Sequence, residues 1–211
     1  MRIIAHRGAA AFKPENSLEA FREAIRLGSN FFETDAHLTR DGALVLWHDY
    51  DFEGRAIKTG FLRDFPLTTL KELLDILPPA ANLNIEIKND GNIYEGIERA
   101  VLGLLQTYPP RLKERILISS FDYPTLQRVR ALDADIKIGV LTRAFDVGAA
   151  LALGAYSVHI SLKRVNDAIV ETCHKNNLKV FVYTVNTAAE AAAMAGLGVD
   201  AVFSDYPDLS F

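Results

Sequence analysis

Short apolar runs alternate along the chain with segments whose apolar residues recur at helical spacing. The apolar runs predict strands at Arg2–Ala5, Asn30–Asp35, Asn82–Lys88, Arg115–Ser120, Ile136–Leu141, Tyr156–Ser161, Lys179–Thr184 and Ala201–Asp205. The segments between them predict helices at Ser17–Leu27, Leu70–Leu77, Ile93–Gln106, Pro124–Leu132, Phe145–Leu153, Asn166–Asn176 and Ala188–Ala195. This alternation indicates parallel strands joined by crossover helices, and eight such strands predict an α/β fold of the (β/α)₈ TIM barrel type.

One further apolar run, Gly42–Asp49, does not fit the alternation. A parallel neighbour needs a crossover of a dozen or more residues, and only a short turn precedes this run. The Asp41-Gly42 dipeptide is a strong hairpin signal. We therefore expect a β-hairpin after the second strand that brings His48 level with Asp35 at the barrel mouth, followed by a short insertion before the third strand.

Composition favours one globular unit. The chain has 211 residues, 49% of them hydrophobic and 24% charged, and we find no linker or low-complexity stretch. We expect a single domain over residues 1–211. The net charge of −4 and the scattered Lys and Arg residues argue against a nucleic-acid partner.

The cysteine count and the hydropathy pattern bear on the compartment. Cys173 is the only cysteine, so an internal disulfide and a Cys-based zinc site are excluded. We recognise neither a signal peptide nor a run of about 20 apolar residues, and so expect a cytoplasmic protein without stable membrane insertion. The sequence leaves the oligomeric state open, and a homo-oligomer is compatible with it.

Two predicted strands carry polar side chains on the side that faces the barrel lumen. Residues two apart share a side, so Leu83, Ile85 and Ile87 would face the helices while Asn84, Glu86 and Lys88 point inward. Such a polar row is costly inside a core unless it is paired or binds an ion. A solvated edge strand is the alternative interpretation.

The same spacing recurs in Phe31, Glu33 and Asp35. Active sites of this fold lie at the carboxyl ends of the strands, where Glu33, Asp35 and Glu86 fall. Three neighbouring carboxylates repel one another unless a cation neutralises them, and oxygen ligands favour Mg²⁺ or Ca²⁺. We therefore expect one bound divalent cation.

Histidines and cations end up at the same opening. His6 ends the first strand, Arg7 follows it, His48 arrives on the hairpin and Lys88 ends the third strand. A phosphodiester needs its charge neutralised, a proton removed from the nucleophile and a proton given to the leaving alkoxide. The metal, Arg7 and Lys88 could do the first, and the two histidines could do the others.

These motifs resemble the glycerophosphodiester phosphodiesterase family over nearly the whole chain. The matching blocks are AHRG at Ala5–Gly8, PENSLEAF at Pro14–Phe21, FETDAHLTRDGALVLWHD at Phe32–Asp49, NIEIK at Asn84–Lys88, SSFD at Ser119–Asp122, LKVFVYTVN at Leu178–Asn186 and GVDAVFSDYP at Gly198–Pro207. The resemblance implies metal ligands at Glu33, Asp35 and Glu86, catalytic histidines at His6 and His48, and phosphate contacts from Arg7 and Lys88. It implies a small-molecule substrate such as glycerophosphocholine or glycerophosphoethanolamine, cleaved to sn-glycerol 3-phosphate and an alcohol.

The resemblance suggests lesser roles for three more residues. Asn16 would brace the loop after the first strand, although a helix N-cap is an equal alternative. Phe121 and Tyr183 follow strand ends and would line the alcohol or glycerol pocket, with ordinary packing as the alternative. The chain also departs from the family pattern, because the Tyr50–Pro66 insertion is short, Tyr183 stands where Trp is usual and Ser204 where Thr is usual.

Two other functions remain alternatives at this point. A lysophospholipase D activity would use the more open mouth that the short insertion suggests, although the chain shows no basic amphipathic helix for membrane binding. A non-catalytic barrel that binds a phosphorylated ligand would need the cations but not the histidine pair.

Overall fold

The computed structural model describes residues 1–210, which form a (β/α)₈ barrel with a hairpin inserted after its second strand. The strands are β1 (Arg2–Ala5), β2 (Phe31–Leu38), β3 (Leu44–Leu46), β4 (Asp51–Phe52), β5 (Arg55–Ala56), β6 (Asn82–Ile87), β7 (Ile116–Ser120), β8 (Lys137–Thr142), β9 (Ser157–Ser161), β10 (Lys179–Tyr183) and β11 (Ala201–Ser204). The helices are α1 (Leu18–Arg26), α2 (Leu70–Ile76), α3 (Ile97–Gln106), α4 (Pro110–Lys113), α5 (Tyr123–Leu132), α6 (Val147–Ala152), α7 (Asp167–Lys175) and α8 (Ala188–Gly196).

The barrel closes through parallel pairing alone. Its strands follow the order β1, β2, β6, β7, β8, β9, β10 and β11, and β11 pairs with β1 to complete the ring. The predicted barrel and its eight strands are thus confirmed. Strand β6 lies between β2 and β7, so the interpretation of its polar row as an edge strand is wrong.

Alternation along the strands builds two apolar layers. Leu83, Ile85 and Ile87 pack outward with residues of the helices in the main core. A smaller cluster fills the lumen below the mouth, formed by Ile4, Phe31, Leu117, Phe181, Ala201 and Phe203. Full burial of one such side chain stabilises the fold by about 1.5–3 kcal/mol, so these layers fix which face of each strand points inward.

Polar residues at the barrel mouth mark where most of the surrounding helices begin. The side chain of each accepts a backbone N–H of the first turn, which satisfies a donor that would otherwise lack a partner. These N-caps are Ser17, Thr69, Asp122, Asp146, Asn166 and Thr187.

The predicted hairpin is confirmed, with a longer first arm than expected. Strand β2 continues past Asp35 to Leu38 because its last residues pair antiparallel with β3, Ala36 lying opposite Leu46. The Trp47 N–H donates to the Asp35 carbonyl at 3.2 Å, which leaves His48 one residue beyond the level of Asp35.

The short insertion carries structure that the sequence pattern did not predict. It contains the β4–β5 hairpin and two 3₁₀ turns, at Ile57–Thr59 and Leu62–Asp64. Ile57 and Phe65 pack with Val45 of β3 in a separate apolar cluster. The insertion therefore supports the hairpin that carries His48.

Helix α3 starts four residues later than predicted, at Ile97 instead of Ile93. The segment that precedes the helix contains three residues with positive φ, namely Gly91, Asn92 and Gly96. An α-helix cannot accommodate this backbone conformation. The Tyr94 N–H donates instead to the Asn89 side chain at 2.7 Å. Helix α6 is likewise shorter than predicted, because Asp146 caps it and the helix begins at Val147, two residues after Phe145.

We predict that Gly8→Ala destabilises the protein by about 2 kcal/mol or more, because its φ of +85° disfavours a side chain and the added Cβ would lie 2.7 Å from the Ala20 carbonyl carbon. Gly103→Ala is the matched control, since Gly103 lies in α3 with open space around it, and it should stabilise the protein by up to about 1 kcal/mol. Urea unfolding measures both. Equal effects of the two substitutions would contradict the close approach of the β1–α1 loop to α1.

Candidate catalytic and metal site

Three carboxylates meet at the barrel mouth on two neighbouring strands. The β2–β6 register places Asp35 beside Glu86 and Glu33 beside Asn84. Glu33, Asp35 and Glu86 each offer an oxygen, and these atoms lie within 4.8 Å of one another. All three residues are buried. The predicted convergence of these acids is confirmed as geometry, and the group could hold a metal ion.

Two partly buried cations lie against the acids. Lys88 Nζ lies 3.0 Å from Asp35 Oδ1 and 2.8 Å from Glu86 Oε1, while Arg7 Nε lies 3.1 Å from Asp35 Oδ2. Burial by itself would raise the pKa of Asp35, but Lys88 and Arg7 hold it below its usual value. The Arg7 guanidinium is also held at 2.7 Å by Glu15, so this side chain is fixed from two sides.

Glu33 is the acid with the weakest compensation. Its Oε2 accepts the Arg7 backbone N–H at 3.0 Å and lies 4.0 Å from His6 Nε2, and within the described part of the chain no Lys or Arg side chain is in ion-pair contact with it. Burial and the adjacent Asp35 raise the pKa of Glu33 to about 8. With all three acids ionised, their negative charge would exceed the positive charge of Arg7 and Lys88 by one, and the raised pKa of Glu33 reflects the cost of that excess when no metal is bound. This donor set fits a hard divalent cation, which would leave the site able to receive an anion.

His6 is oriented by a carboxylate at the end of the last strand. Its Nδ1 lies 2.7 Å from Asp205 Oδ1, so the other ring nitrogen, Nε2, faces the acids. Asn186 holds Asp205 in turn, with its Nδ2 donating to Oδ2 at 2.6 Å. Burial lowers the pKa of His6, but the bond to Asp205 and the charge of Glu33 outweigh it and leave the pKa raised.

His48 reaches the same opening from the hairpin and is more exposed, with 41% of its side chain accessible. Its Nδ1 lies 2.8 Å from Asp49 Oδ1. Partial burial, together with the charges of Lys88 and Arg7, lowers the pKa of His48. The two histidines therefore occupy electrostatically different places around one site.

One cavity of about 190 Å³ joins most of the predicted residues. Its lining residues are His6, Arg7, Glu33, His48, Asn84, Glu86, Lys88, Phe121, Leu141, Tyr183, Thr184 and Phe203. Asp35 does not line the cavity, and contacts Arg7 and Lys88 instead. Phe121 and Tyr183 meet edge to face with ring centroids 6.0 Å apart, so both predicted pocket residues do reach the cavity wall.

Asn16 braces the site, and its interpretation as a helix N-cap is wrong because Ser17 caps α1. Asn16 has a φ of +57° and is buried. Its Nδ2 donates to Asp35 Oδ2 at 3.0 Å, and its Oδ1 accepts the Thr34 hydroxyl at 2.7 Å. The Asn16 N–H also donates to the Arg7 carbonyl at 3.0 Å, which ties the β1–α1 loop to β2.

Sequence reasoning missed three supporting residues: Asp205, Asn186 and Glu15. Asp205 follows a barrel strand at its carboxyl end, the signal that identified the metal-site acids, and could have been found in that way. The pairing of Glu15 with Arg7 and of Asn186 with Asp205 depends on loop conformation, for which the sequence offers no comparable signal.

Residues 6–90 and 51–209 match the model of the glycerophosphoryl diester phosphodiesterase family. The chain belongs to this family. A glycerophosphodiester phosphodiesterase of Caldanaerobacter subterraneus subsp. tengcongensis is 33% identical, with 98% of this chain and 94% of the relative covered. That alignment spans 231 positions, so the relative carries residues that this chain lacks.

Solved structures of similar proteins share the barrel. A phosphodiesterase of Oleispira antarctica, in complex with the product sn-glycerol-3-phosphate, is 28% identical with a TM-score of 0.89, and 99% of this chain and 94% of that chain are covered. A glycerophosphodiester phosphodiesterase of Thermotoga maritima is 25% identical with a TM-score of 0.80, and 98% of this chain and 95% of that chain are covered.

Within residues 1–210 of the present chain, every helix is too short or too polar to cross a bilayer.

We predict that Asn16→Ala lowers the free energy of unfolding by about 1–3 kcal/mol more than Asn177→Ala does. Both residues have a left-handed backbone, but only Asn16 makes buried side-chain hydrogen bonds to Asp35 and Thr34. Chemical denaturation of the two variants measures the difference. Matching losses would mean that the Asn16 side chain contributes nothing beyond its backbone conformation.

Proposed function

We propose that this chain catalyses metal-dependent hydrolysis of glycerophosphodiesters, such as glycerophosphocholine or glycerophosphoethanolamine, to sn-glycerol 3-phosphate and an alcohol. The observation that carries the proposal is that Glu33, Asp35 and Glu86 meet beside His6 and His48 in one arrangement. Family membership supports the reaction class, and the product complex of the Oleispira relative supports the glycerol phosphate half of the substrate.

We assign the cation, Mg²⁺ or Ca²⁺, to the three carboxylates. Once bound, it would supply positive charge to the phosphate oxygens. Lys88 and Arg7 lie beside the same acids and line the cavity, so they add positive charge on the face open to substrate. Their contacts with Asp35 and Glu86 keep them in place before the substrate arrives, which avoids the entropy cost of ordering long side chains on binding.

We assign the proton transfers to His6 and His48. Attack on phosphorus requires a base for the nucleophile, and departure of the alkoxide requires an acid. With Nδ1 of His6 bound to Asp205 and Nδ1 of His48 bound to Asp49, each histidine has its Nε2 left to exchange a proton with the substrate or with water. Asp205 fixes the ring of His6 as a carboxylate does in other histidine-dependent hydrolases.

The uncharged wall of the cavity suits the rest of the substrate. Phe121, Leu141, Tyr183 and Phe203 line the same cavity as the charged cluster and offer apolar surface to the glycerol or alcohol carbons. The Tyr183 hydroxyl donates to the Thr142 carbonyl at 3.3 Å, which holds the ring in position. We therefore retain Phe121 and Tyr183 as substrate-binding residues.

We further propose that residues 1–211 act as a single domain in the cytoplasm on a small-molecule substrate. Every residue assigned above comes from one chain, so the site is complete in a monomer and in a homo-oligomer alike. Nothing in the proposed chemistry needs nucleic acid or insertion into a membrane.

The reaction is tested by the release of sn-glycerol 3-phosphate from glycerophosphocholine. We expect turnover that EDTA abolishes and that Mg²⁺ or Ca²⁺ restores. His6→Ala should reduce kcat by at least about 10²-fold, because a positioned acid or base typically contributes 10²–10⁴-fold. His174→Ala is the matched control, since His174 pairs with Asp200 at the surface, and it should retain activity.

Two outcomes would oppose this account. Turnover that is insensitive to EDTA would contradict the metal dependence. The absence of turnover on any glycerophosphodiester would contradict the proposed reaction. Lysophosphatidylcholine assayed in parallel tests the lysophospholipase D alternative, which a faster rate on the lysolipid than on glycerophosphocholine would favour.

We predict that Asp205→Asn lowers kcat by about 10²–10⁴-fold and changes KM by less than about threefold. An amide at this position can donate to His6 Nδ1 and so favours the wrong tautomer, while the phosphate contacts stay in place. Asp200→Asn removes the carboxylate of the surface pair with His174 and serves as the control. Steady-state kinetics of the two variants measure the effect, and a loss confined to KM would contradict an orienting role for Asp205.

A further inference from the structure

Asn84 lines the catalytic cavity and carries a buried oxygen without a partner. Only 1% of the residue is accessible, and its Oδ1 has no hydrogen-bond partner among residues 1–210. The other end of the amide is fixed, because Nδ2 donates to Ser119 Oγ at 3.0 Å. A buried amide oxygen without a partner costs about 1–3 kcal/mol. We therefore expect a bound ligand to supply the missing partner.

The place of Asn84 in the sheet indicates what kind of ligand this is. Asn84 stands beside Glu33 in the β2–β6 register and two residues before Glu86, on the same inward side of β6. It lines the cavity together with both of these acids. Strand geometry therefore puts Asn84 next to Glu33 and on the same inward face as Glu86, while Ser119, on the β7 side, accepts from the amide nitrogen.

We propose that Asn84 Oδ1 is a further ligand of the divalent cation held by Glu33, Asp35 and Glu86. Mg²⁺ takes six oxygens and Ca²⁺ six to eight, and side-chain amide oxygens are among their protein ligands. A neutral ligand is sufficient at this site, because the three carboxylates already supply the negative charge that the cation requires. The inference rests on the metal-dependent function proposed above and adds a residue to its metal site.

A titration of the metal-free protein with Mn²⁺ or Ca²⁺, without substrate, tests the inference by calorimetry. We expect Asn84→Ala to raise the dissociation constant by about 10-fold or more, in line with the loss of a group that supports a metal. Asn84→Asp keeps an oxygen at the same place and should bind at least as tightly as the wild type. Asn82→Ala, on the same strand and the same side but outside the cavity, should bind as the wild type does.

The outcomes separate this inference from the proposed function. If the wild type binds the cation and Asn84→Ala binds it equally well, the inference is wrong and the proposed function stands. An unchanged dissociation constant with a raised KM would assign the oxygen to a substrate hydroxyl and would also overturn the inference. A wild type that binds no cation would overturn the proposed function itself. If Asn84→Ala does not fold, Asn84→Asp decides, and weaker binding by that variant contradicts a ligand role.

Discussion

The burial of three like charges at one end of the barrel is the constraint on which the site depends. Glu33, Asp35 and Glu86 come from the lumen side of adjacent strands, where closure of the barrel removes them from water. Coulomb repulsion and desolvation would push such groups to their neutral forms. Lys88 and Arg7 oppose this at Asp35, while Glu33 has no Lys or Arg side chain of residues 1–210 in ion-pair contact and lies only near His6. Because Lys88 and Arg7 neutralise only part of the carboxylate charge, the site can hold a divalent cation.

Supporting residues extend this arrangement outward through the loops. Asn16 ties Asp35 to the β1–α1 loop, Asp205 orients His6, and Asn186 holds Asp205. Each contact joins the carboxyl end of one strand to a loop that follows another. Packing on both sides fixes the barrel strands, so the loops that follow them start from fixed positions. Side chains that are distant in sequence can therefore meet within hydrogen-bonding distance.

Much of this frame could be predicted from the sequence, because alternation reports directly on burial. The row Leu83, Ile85 and Ile87 predicted the outer face of β6, and the acids followed on the other face. The Asp41-Gly42 dipeptide predicted the hairpin because its residue types favour a tight reversal of the chain, and the arms do pair across it, with Leu38 opposite Leu44. These features depend on local periodicity and turn chemistry, which a single sequence contains.

Features that depend on an unusual backbone conformation, or on partners distant in sequence, could not be predicted from the sequence. Asn16 was equally compatible with a helix cap, since both roles use a short polar side chain, and only its left-handed φ and its bonds to β2 distinguish them. The late start of α3 follows from positive φ values at Gly91, Asn92 and Gly96, of which only the glycines are suggested by residue type. The 3₁₀ turns of the insertion depend on packing against Val45, which becomes a neighbour only after the hairpin forms.

Anomalous diffraction from crystals grown with Mn²⁺ would test the central claim most directly. The account predicts one strong manganese peak at the barrel mouth, with an oxygen of Glu33, Asp35 and Glu86 each about 2.0–2.6 Å away. A peak bound elsewhere, or full occupancy by Mn²⁺ that leaves one of these carboxylates uncoordinated, would contradict it.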